Sequence, residues 1–234
     1  MARILITSGP TRQYLDPVRY LTNGSSGRMG CALAQAALEM GHRVTVISGP
    51  VHVAYPAAAQ VISIVSTEEL LDACCAAFPA CDGVIGAAAP CDYRPQRVHS
   101  EKIAKTGQPL ELRLVETPDV MAALGAMKRP NQWLVGFALE THDRRIRALI
   151  KLEKKSCDLM VVNGPEAMDS SFNQVEVVDR RGHTVETLSG TKEEVARRIL
   201  QLIRTTLVRP PERTAVTVRA ISHDAHQAGQ RKSS

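Results

Sequence analysis

Aromatic residues make up only 3% of the 234-residue chain, so its core has to be assembled from Ala, Val, Leu and Ile. No apolar run approaches the roughly 18 residues that a membrane-crossing helix requires, and no charged-then-apolar leader stands before the first apolar stretch at Arg3. On these grounds the chain is expected to be cytoplasmic, with no membrane partner. The six cysteines (31, 74, 75, 81, 91 and 157) lack both C-x-x-C spacing and zinc spacing with histidines. Most sit in apolar runs, where a thiol behaves as a small hydrophobe, and disulfides are not expected. The formal net charge of +5 raises the question of nucleic acid. No basic stripe interleaved with aromatics accompanies it, so nucleic acid is not an expected partner; the charge is expected to gather around an anionic ligand and in a basic tail. No internal repeat is visible.

What is present alternates. Arg3 to Ser8 has the β-branched character of a buried strand, and Met29, Ala32, Leu33, Ala36 and Met40 share one face of a following helix. Between them lie the patches Ser8-Gly9 and Asn23-Gly24-Ser25-Ser26-Gly27, which let backbone N–H groups approach an anion beside a helix N-terminus. This reads as a phosphate-handling strand–helix junction. It is neither G-x-G-x-x-G nor a P-loop, and a Tyr-x-x-x-Lys pair is also missing, which counts against a nicotinamide-dependent oxidoreductase.

Further strands are expected at 42–48, 61–65, 82–89, 110–115, 133–139 and 158–163, and a hairpin from Val175 to Leu188 turning at Arg181-Gly182. Helices are expected after the capping boxes Ser66-x-x-Glu69 and Thr191-x-x-Glu194, after Thr117-Pro118-Asp119 with Thr as N-cap, and from about His142 to Lys155. This order predicts an α/β fold: a doubly wound, Rossmann-like, mostly parallel sheet with helices on both faces and a small β-hairpin extension. The polar stretch from Pro90 to Pro109 has no periodicity, and a loop of about 20 residues inside a compact domain is usually functional or disordered. One domain over 1–208 and a flexible basic tail over 209–234, past Pro210-Pro211, complete the organisation.

Local reading of the candidate residues leaves two options at each. Asp16 and Arg19 form either a turn with a surface ion pair or a pair beside a phosphate or carboxylate, which arginine binds bidentately. Asp92 either caps a turn or stands at the carboxyl edge of the sheet, where ligands bind in this fold; Ala88 and Ala89 before it leave room for a flat base. Lys102 is a solvated loop lysine or a mobile charge. Lys151 and Lys155, spaced i and i+4, form a solvated face or an anion site.

Taken together, TSGPTR, LDPVRYLTNGSSGRMG, Asp92-Tyr93-Arg94-Pro95, Glu101-Lys102-Ile103, Thr117-Pro118-Asp119, Gly136 to Thr141 and Asp158 to Asn163 resemble, in order over roughly residues 3 to 205, the phosphopantothenoylcysteine synthetases. These are the CTP-dependent phosphopantothenate–cysteine ligases of bacterial coenzyme A synthesis. The resemblance implies a ligase that joins 4′-phosphopantothenate to L-cysteine through an acyl-cytidylate. It implies catalytic roles for Asn23 and for Lys102 on a mobile flap, and substrate binding by Asp16, Arg19, Asn23, Ala88 and Ala89. It implies nucleotide binding by Asp92, Lys102, Thr117, Pro118, Asp119, Val120, Phe137, Lys151 and Lys155. CTP is the implied co-substrate, Mg2+ or Mn2+ the implied metal with Asp92 as its ligand, and a homodimer the implied assembly. The flavin belongs to a decarboxylase half that the family often carries in front; nothing precedes Arg3 to match it, so no FMN is expected and a separate flavin decarboxylase is a possible partner. The chain departs from the family pattern at Pro90-Cys91, where Val-Ala is usual, and at Ala104, where a flap lysine is usual. A non-catalytic nucleotide sensor on the same fold is the reading from a different class.

Overall fold

The computed structural model describes residues 1–139, 142–164 and 172–208; the expected tail at 209–234 and the pair Glu140-Thr141 lie outside them. In chain order the strands are β1 (Arg3–Ser8), β2 (Arg12–Tyr14), β3 (Tyr20–Thr22), β4 (Arg43–Ser48), β5 (Gln60–Ser63) and β6 (Gly83–Gly86). They continue with β7 (Tyr93–Pro95), β8 (Leu114–Glu116), β9 (Trp133–Leu139), β10 (Leu159–Asn163), β11 (Phe172–Asp179) and β12 (Thr184–Thr191). The helices are α1 (Arg28–Glu39), α2 (Thr67–Ala77), α3 (Val120–Met127), α4 (Arg144–Lys154) and α5 (Lys192–Ile203).

Eight strands make one sheet in the order β12-β11-β10-β9-β6-β1-β4-β5. The run from β10 to β5 is parallel, and the β11–β12 hairpin adds two antiparallel strands at one edge. The chain winds outward from β1 through β4 and β5, then returns to β6 and winds the other way. The expected doubly wound sheet with a hairpin extension is therefore the fold.

Both faces are buried because the strands are apolar on alternate residues in both directions. Ile4, Ile6, Val44, Val46, Ile85, Val135 and Val161 pack in one cluster with Ala32, Leu33, Ala36 and Ala37 of α1 and Val195, Ile199 and Leu200 of α5. Leu5, Ile47, Val84, Leu134, Met160 and Val162 pack in another with Leu70, Val120, Leu124, Ala148 and Leu152 of α2, α3 and α4. The core is aliphatic as the composition demands; each fully buried Leu or Ile contributes about 1.5–3 kcal/mol.

Four local readings change. A short β2–β3 hairpin occupies part of the opening loop, and β7 lies inside the stretch read as a long loop without periodicity, paired with a β8 shorter than its 110–115 forecast. Three-residue strands carry no readable period; distant pairing makes them. The cap of α3 is Asp119, whose carboxylate accepts the Ala122 N–H, rather than Thr117. Thr117 is drawn away because its hydroxyl donates to the Cys91 carbonyl at 2.6 Å. At α2, Ser66 caps as expected, but Glu69 reaches back to the Val65 N–H at 2.9 Å rather than to the cap residue's own.

Candidate active site

At the carboxyl edge of the parallel strands, beside the point where the winding reverses between β1 and β6, lies a cleft of about 680 Å3. Ligands bind at this position in open α/β sheets because neighbouring connections there turn to opposite faces. Thr7 of β1, Gly86 of β6, Phe137, Ala138 and Leu139 of β9 and Asn163 of β10 form its floor.

The structure brings eleven of the expected residues to this cleft: Asn23, Ala88, Ala89, Asp92, Thr117, Pro118, Asp119, Val120, Phe137, Lys151 and Lys155. Asp16, Arg19 and Lys102 are not among its lining residues.

Asn23 sits against the turn that follows β6. Its Nδ2 donates to the carbonyls of Pro90 at 2.9 Å and Ala89 at 3.4 Å. A ligand that takes one of the two amide hydrogens would replace the longer contact, to Ala89, and leave the shorter one to Pro90. The Pro90-Cys91 turn is fixed from beneath by threonines. The Cys91 N–H donates to Thr11 Oγ1 at 2.8 Å, Thr11 and Thr67 share a buried hydroxyl contact at 2.9 Å, and the Cys91 carbonyl accepts from Thr67 at 3.3 Å and Thr117 at 2.6 Å. The Thr117 N–H donates to the Asp92 carbonyl at 2.9 Å. These bonds hold the exposed Asp92 carboxylate at the cleft with the altered Pro90-Cys91 pair in place, and Cys91 is a buried filler.

The opposite wall is electrostatic. The N-terminus of α3 and the C-terminal turn of α4 both face the cleft, the latter through Lys151, Lys154 and Lys155. Lysines at a helix C-terminus are favoured by the macrodipole. Lys155 Nζ pairs with Asp119 Oδ1 at 3.1 Å, so the cap of α3 also anchors the end of α4. That approach depends on Gly125: a Cβ there would stand 2.2 Å from the Lys155 carbonyl oxygen. Asp158 is architectural, binding Lys128 Nζ at 2.8 Å, the Leu134 N–H at 2.7 Å and Arg180 Nη2 at 2.9 Å.

Sequence reasoning passed over Lys154 and Asn163. Lys154 stands three residues after Lys151, at helical spacing, and that signal was available. Asn163 is the polar residue that ends an apolar strand, the same signal Asp92 gives after β6. Its Oδ1 is buried with no hydrogen-bond partner among the described residues.

The first strand–helix junction, expected to handle phosphate, does not line the cleft beyond Asn23. Gly27 caps α1 in the left-handed region at φ 74°, and Ser8 Oγ donates to its carbonyl at 3.2 Å. The space over the turn is filled by Val51, whose Cγ1 would lie 2.7 Å from a Cβ at Gly9 and 2.9 Å from one at Gly27. Tyr55 closes it further through hydroxyl bonds of 2.8 Å to Ser8 and Ser48. The N-terminus of α3, by contrast, lines the cleft.

Among the described residues no group of three or more His, Cys, Asp or Glu side chains could hold a metal ion, and no helix is long and apolar enough to cross a membrane. The family described as DNA/pantothenate metabolism flavoprotein C-terminal domain matches residues 1–207. The coenzyme A biosynthesis bifunctional protein CoaBC of Vibrio vulnificus is 44% identical over 172 residues, 73% of this chain and 43% of that protein. The crystal structure of the C-terminal domain of a CoaBC is 37% identical, covers 86% of this chain and 93% of that one, and has a TM-score of 0.72. A Cab2 mutant in complex with phosphopantothenate-cysteine is 15% identical, covers 86% of this chain and 84% of that one with a TM-score of 0.74, and shares the fold. The chain spans about half the length of the curated relatives it matches. By sequence and by fold, it belongs to the DNA/pantothenate metabolism flavoprotein C-terminal domain family.

Proposed function

We propose that this domain is a phosphopantothenate–cysteine ligase of coenzyme A synthesis, using CTP. The observation that carries the reading is the single cleft that places Asn23, Asp92, the α3 N-terminus and the α4 lysines together at the carboxyl edge of the sheet. The 4′-phosphopantothenate carboxylate attacks the α-phosphate of CTP, breaking the α–β bridge, releasing pyrophosphate and forming an acyl-cytidylate. The cysteine amine then attacks the acyl carbon; CMP leaves with the C–O bonding pair, the amine loses its proton, and an amide remains.

The α4 lysines and the α3 N-terminus hold the triphosphate, Phe137 lies beside the base, and the small residues Ala88 and Ala89 let the reactants approach the backbone. One amide hydrogen of Asn23 donates to the oxygen that gains charge at the reacting carbonyl; losing one such donor costs about 3 kcal/mol of transition-state stabilisation. Lys102 steadies negative charge from its loop. Positioning with charge neutralisation does most of the work, as a site of lysines and helix ends allows.

Asp92 fits a hard cation: it is an exposed carboxylate at the cleft, and Mg2+ is usually held by one or two carboxylates plus substrate phosphates rather than by a protein cage. Mg2+ or Mn2+ bound there supplies shielding of the triphosphate charge. Neither step is a redox change, so FMN has no part in the proposed reaction. A homodimer, a separate flavin decarboxylase as partner, a cytoplasmic location, and a single functional domain over 1–208 complete the proposal.

The test is pyrophosphate release by the purified protein with 4′-phosphopantothenate, cysteine, Mg2+ and either CTP or ATP. Release that needs CTP and phosphopantothenate is expected. Release with ATP alone overturns the nucleotide assignment, and nucleotide binding without release overturns the ligase in favour of a sensor.

A further inference from the structure

Asp16, Arg19 and Lys102 lie outside the cleft lining, yet two of them meet the neighbour of the third. The Asp16 side chain is fully buried and that of Arg19 is 38% exposed. Asp16 Oδ1 accepts the N–H groups of Val18 and Arg19, each at 2.8 Å. Oδ2 accepts Arg19 Nε at 2.9 Å, Arg19 Nη2 at 2.6 Å and the Ile103 N–H at 3.1 Å. Arg19 Nη2 also donates to the Ile103 carbonyl at 2.5 Å. One ion pair therefore grips both backbone groups of the residue that follows Lys102.

Two further bonds define the segment. Gln96 N–H donates to the Arg113 carbonyl at 2.9 Å and closes the neck of the loop, while His99 N–H donates to the Leu15 carbonyl at 2.9 Å. The neck rises from β7 and β8, whose Tyr93 and Glu116 line the cleft. The loop is thus hinged on the cleft wall and fastened at 99 and 103 to the 15–19 turn. Gripping the backbone fixes the path of the chain beside Lys102, whose own side chain stays exposed. The carboxylate is charged in this setting: burial pushes Asp16 up, but the Val18, Arg19 and Ile103 N–H groups and the guanidinium outweigh it and hold it well below the usual range.

We propose that Asp16 and Arg19 are positioning residues that latch the 97–112 loop through Ile103 and so present Lys102 in one place. What Lys102 does when presented rests on the ligase reading; the latch itself does not.

Hydrogen exchange of the full chain without ligands tests the latch. The Ile103 amide should exchange at least tenfold more slowly than amides at 104–107, and Arg19→Ala should abolish that difference while core amides keep their protection. Arg19 is part-exposed, so this variant is expected to fold; Asp16→Asn, which keeps the shape and loses the charge, is the second variant. In the pyrophosphate assay Arg19→Ala should lower kcat at least tenfold with KM for CTP and phosphopantothenate within twofold. Arg19→Lys, retaining the ion pair without the planar fork, should fall between. Unchanged Ile103 exchange in Arg19→Ala overturns the latch. A raised KM for phosphopantothenate at unchanged kcat also overturns it, assigning Arg19 to substrate binding instead. Lost protection in the variant, together with no pyrophosphate release by the unaltered protein, supports the latch and overturns the ligase reading.

Discussion

Gly125 lies within α3, where glycine is a poor choice by propensity alone, costing about 0.8–1.0 kcal/mol relative to alanine. Its position follows from the α3–α4 contact. In Gly125→Ala the new Cβ would stand 2.2 Å from the Lys155 oxygen, 2.9 Å from the Lys155 carbonyl carbon and 3.1 Å from Ser156 Cβ. The first two are backbone atoms, so α4 has to withdraw by roughly 1 Å to reach ordinary contact. Overpacking of this kind costs about 1–3 kcal/mol, and the helix gain offsets up to about 1. The variant should therefore be less stable by up to about 2 kcal/mol. The same shift stretches the 3.1 Å Lys155–Asp119 pair past hydrogen-bond length. It also carries Lys151, Lys154 and Lys155 away from the cleft they line, and the charge attraction lost, about 0.2–1 kcal/mol, should weaken nucleotide binding by up to about fivefold. Urea titration followed by Trp133 fluorescence measures the first effect, since this is the sole tryptophan and it is 5% exposed; calorimetry with CTP measures the second. Ala126→Gly, on the exposed side of the same helix, is the control and should lose stability by propensity alone with nucleotide affinity intact. If Gly125→Ala unfolds at the same urea concentration as the parent or higher, and binds CTP equally well, the close approach does not govern the site.

Asn163→Ala should leave urea stability equal or slightly raised, because it removes a buried acceptor that has no partner among the described residues, yet weaken ligand binding severalfold by calorimetry; a stability loss above about 2 kcal/mol would show that Asn163 supports the fold instead. Lys155→Met should keep the unfolding midpoint within about 1 kcal/mol of the parent while lowering CTP affinity at least fivefold, and unchanged affinity removes Lys155 from the nucleotide site. Under native conditions a thiol reagent should modify the half-exposed Cys75 and Cys31 first, while the buried Cys74, pushed up to about 12 by burial, and Cys157, pushed up to about 11, stay protected until unfolding; early labelling of Cys74 would contradict that packing. Burial, then neighbouring positive charge, lowers the His42 pKa, and its Nδ1 accepts the Ala2 N–H at 3.1 Å. The folded value lies below the unfolded one of about 6.5, so the unfolded chain binds the proton more tightly and stability falls as pH drops below about 6.5. His42→Gln should flatten urea midpoints as pH falls below about 6.5, and an unchanged slope would exclude this histidine as their cause.

Where neighbours in sequence decide the outcome, the sequence was readable. The strand Trp133–Leu139 has its forecast bounds, and the Thr191–Glu194 capping box forms reciprocally because both halves lie within one turn. Most of the cleft was legible through the ordered resemblance along the chain; position alone marked Asp92, past the end of β6, and the turn Thr117 to Val120 that opens α3. Illegible were the features made by distant partners. Thr117 has every local mark of a cap and loses the role to the Cys91 carbonyl. The glycines of the opening turn signal an anion, but Val51 and Tyr55, more than twenty residues further along, close that space. Asp16 and Arg19 give no local sign that their shared partner is the backbone of residue 103.

On the proposed ligase reading, the Lys155–Asp119 pair bears on how the charged product leaves. A triphosphate that draws Lys155 to itself takes it from a carboxylate, so the site exchanges one counter-ion for another and the net attraction is only the difference between them. When pyrophosphate departs, Asp119 is already in place, held by the Ala122 N–H at 3.1 Å, to reclaim the ammonium group. The resident carboxylate thus works as a competing anion at fixed local concentration, keeping the lysine from holding a spent polyanion and resetting the helix end for the next nucleotide.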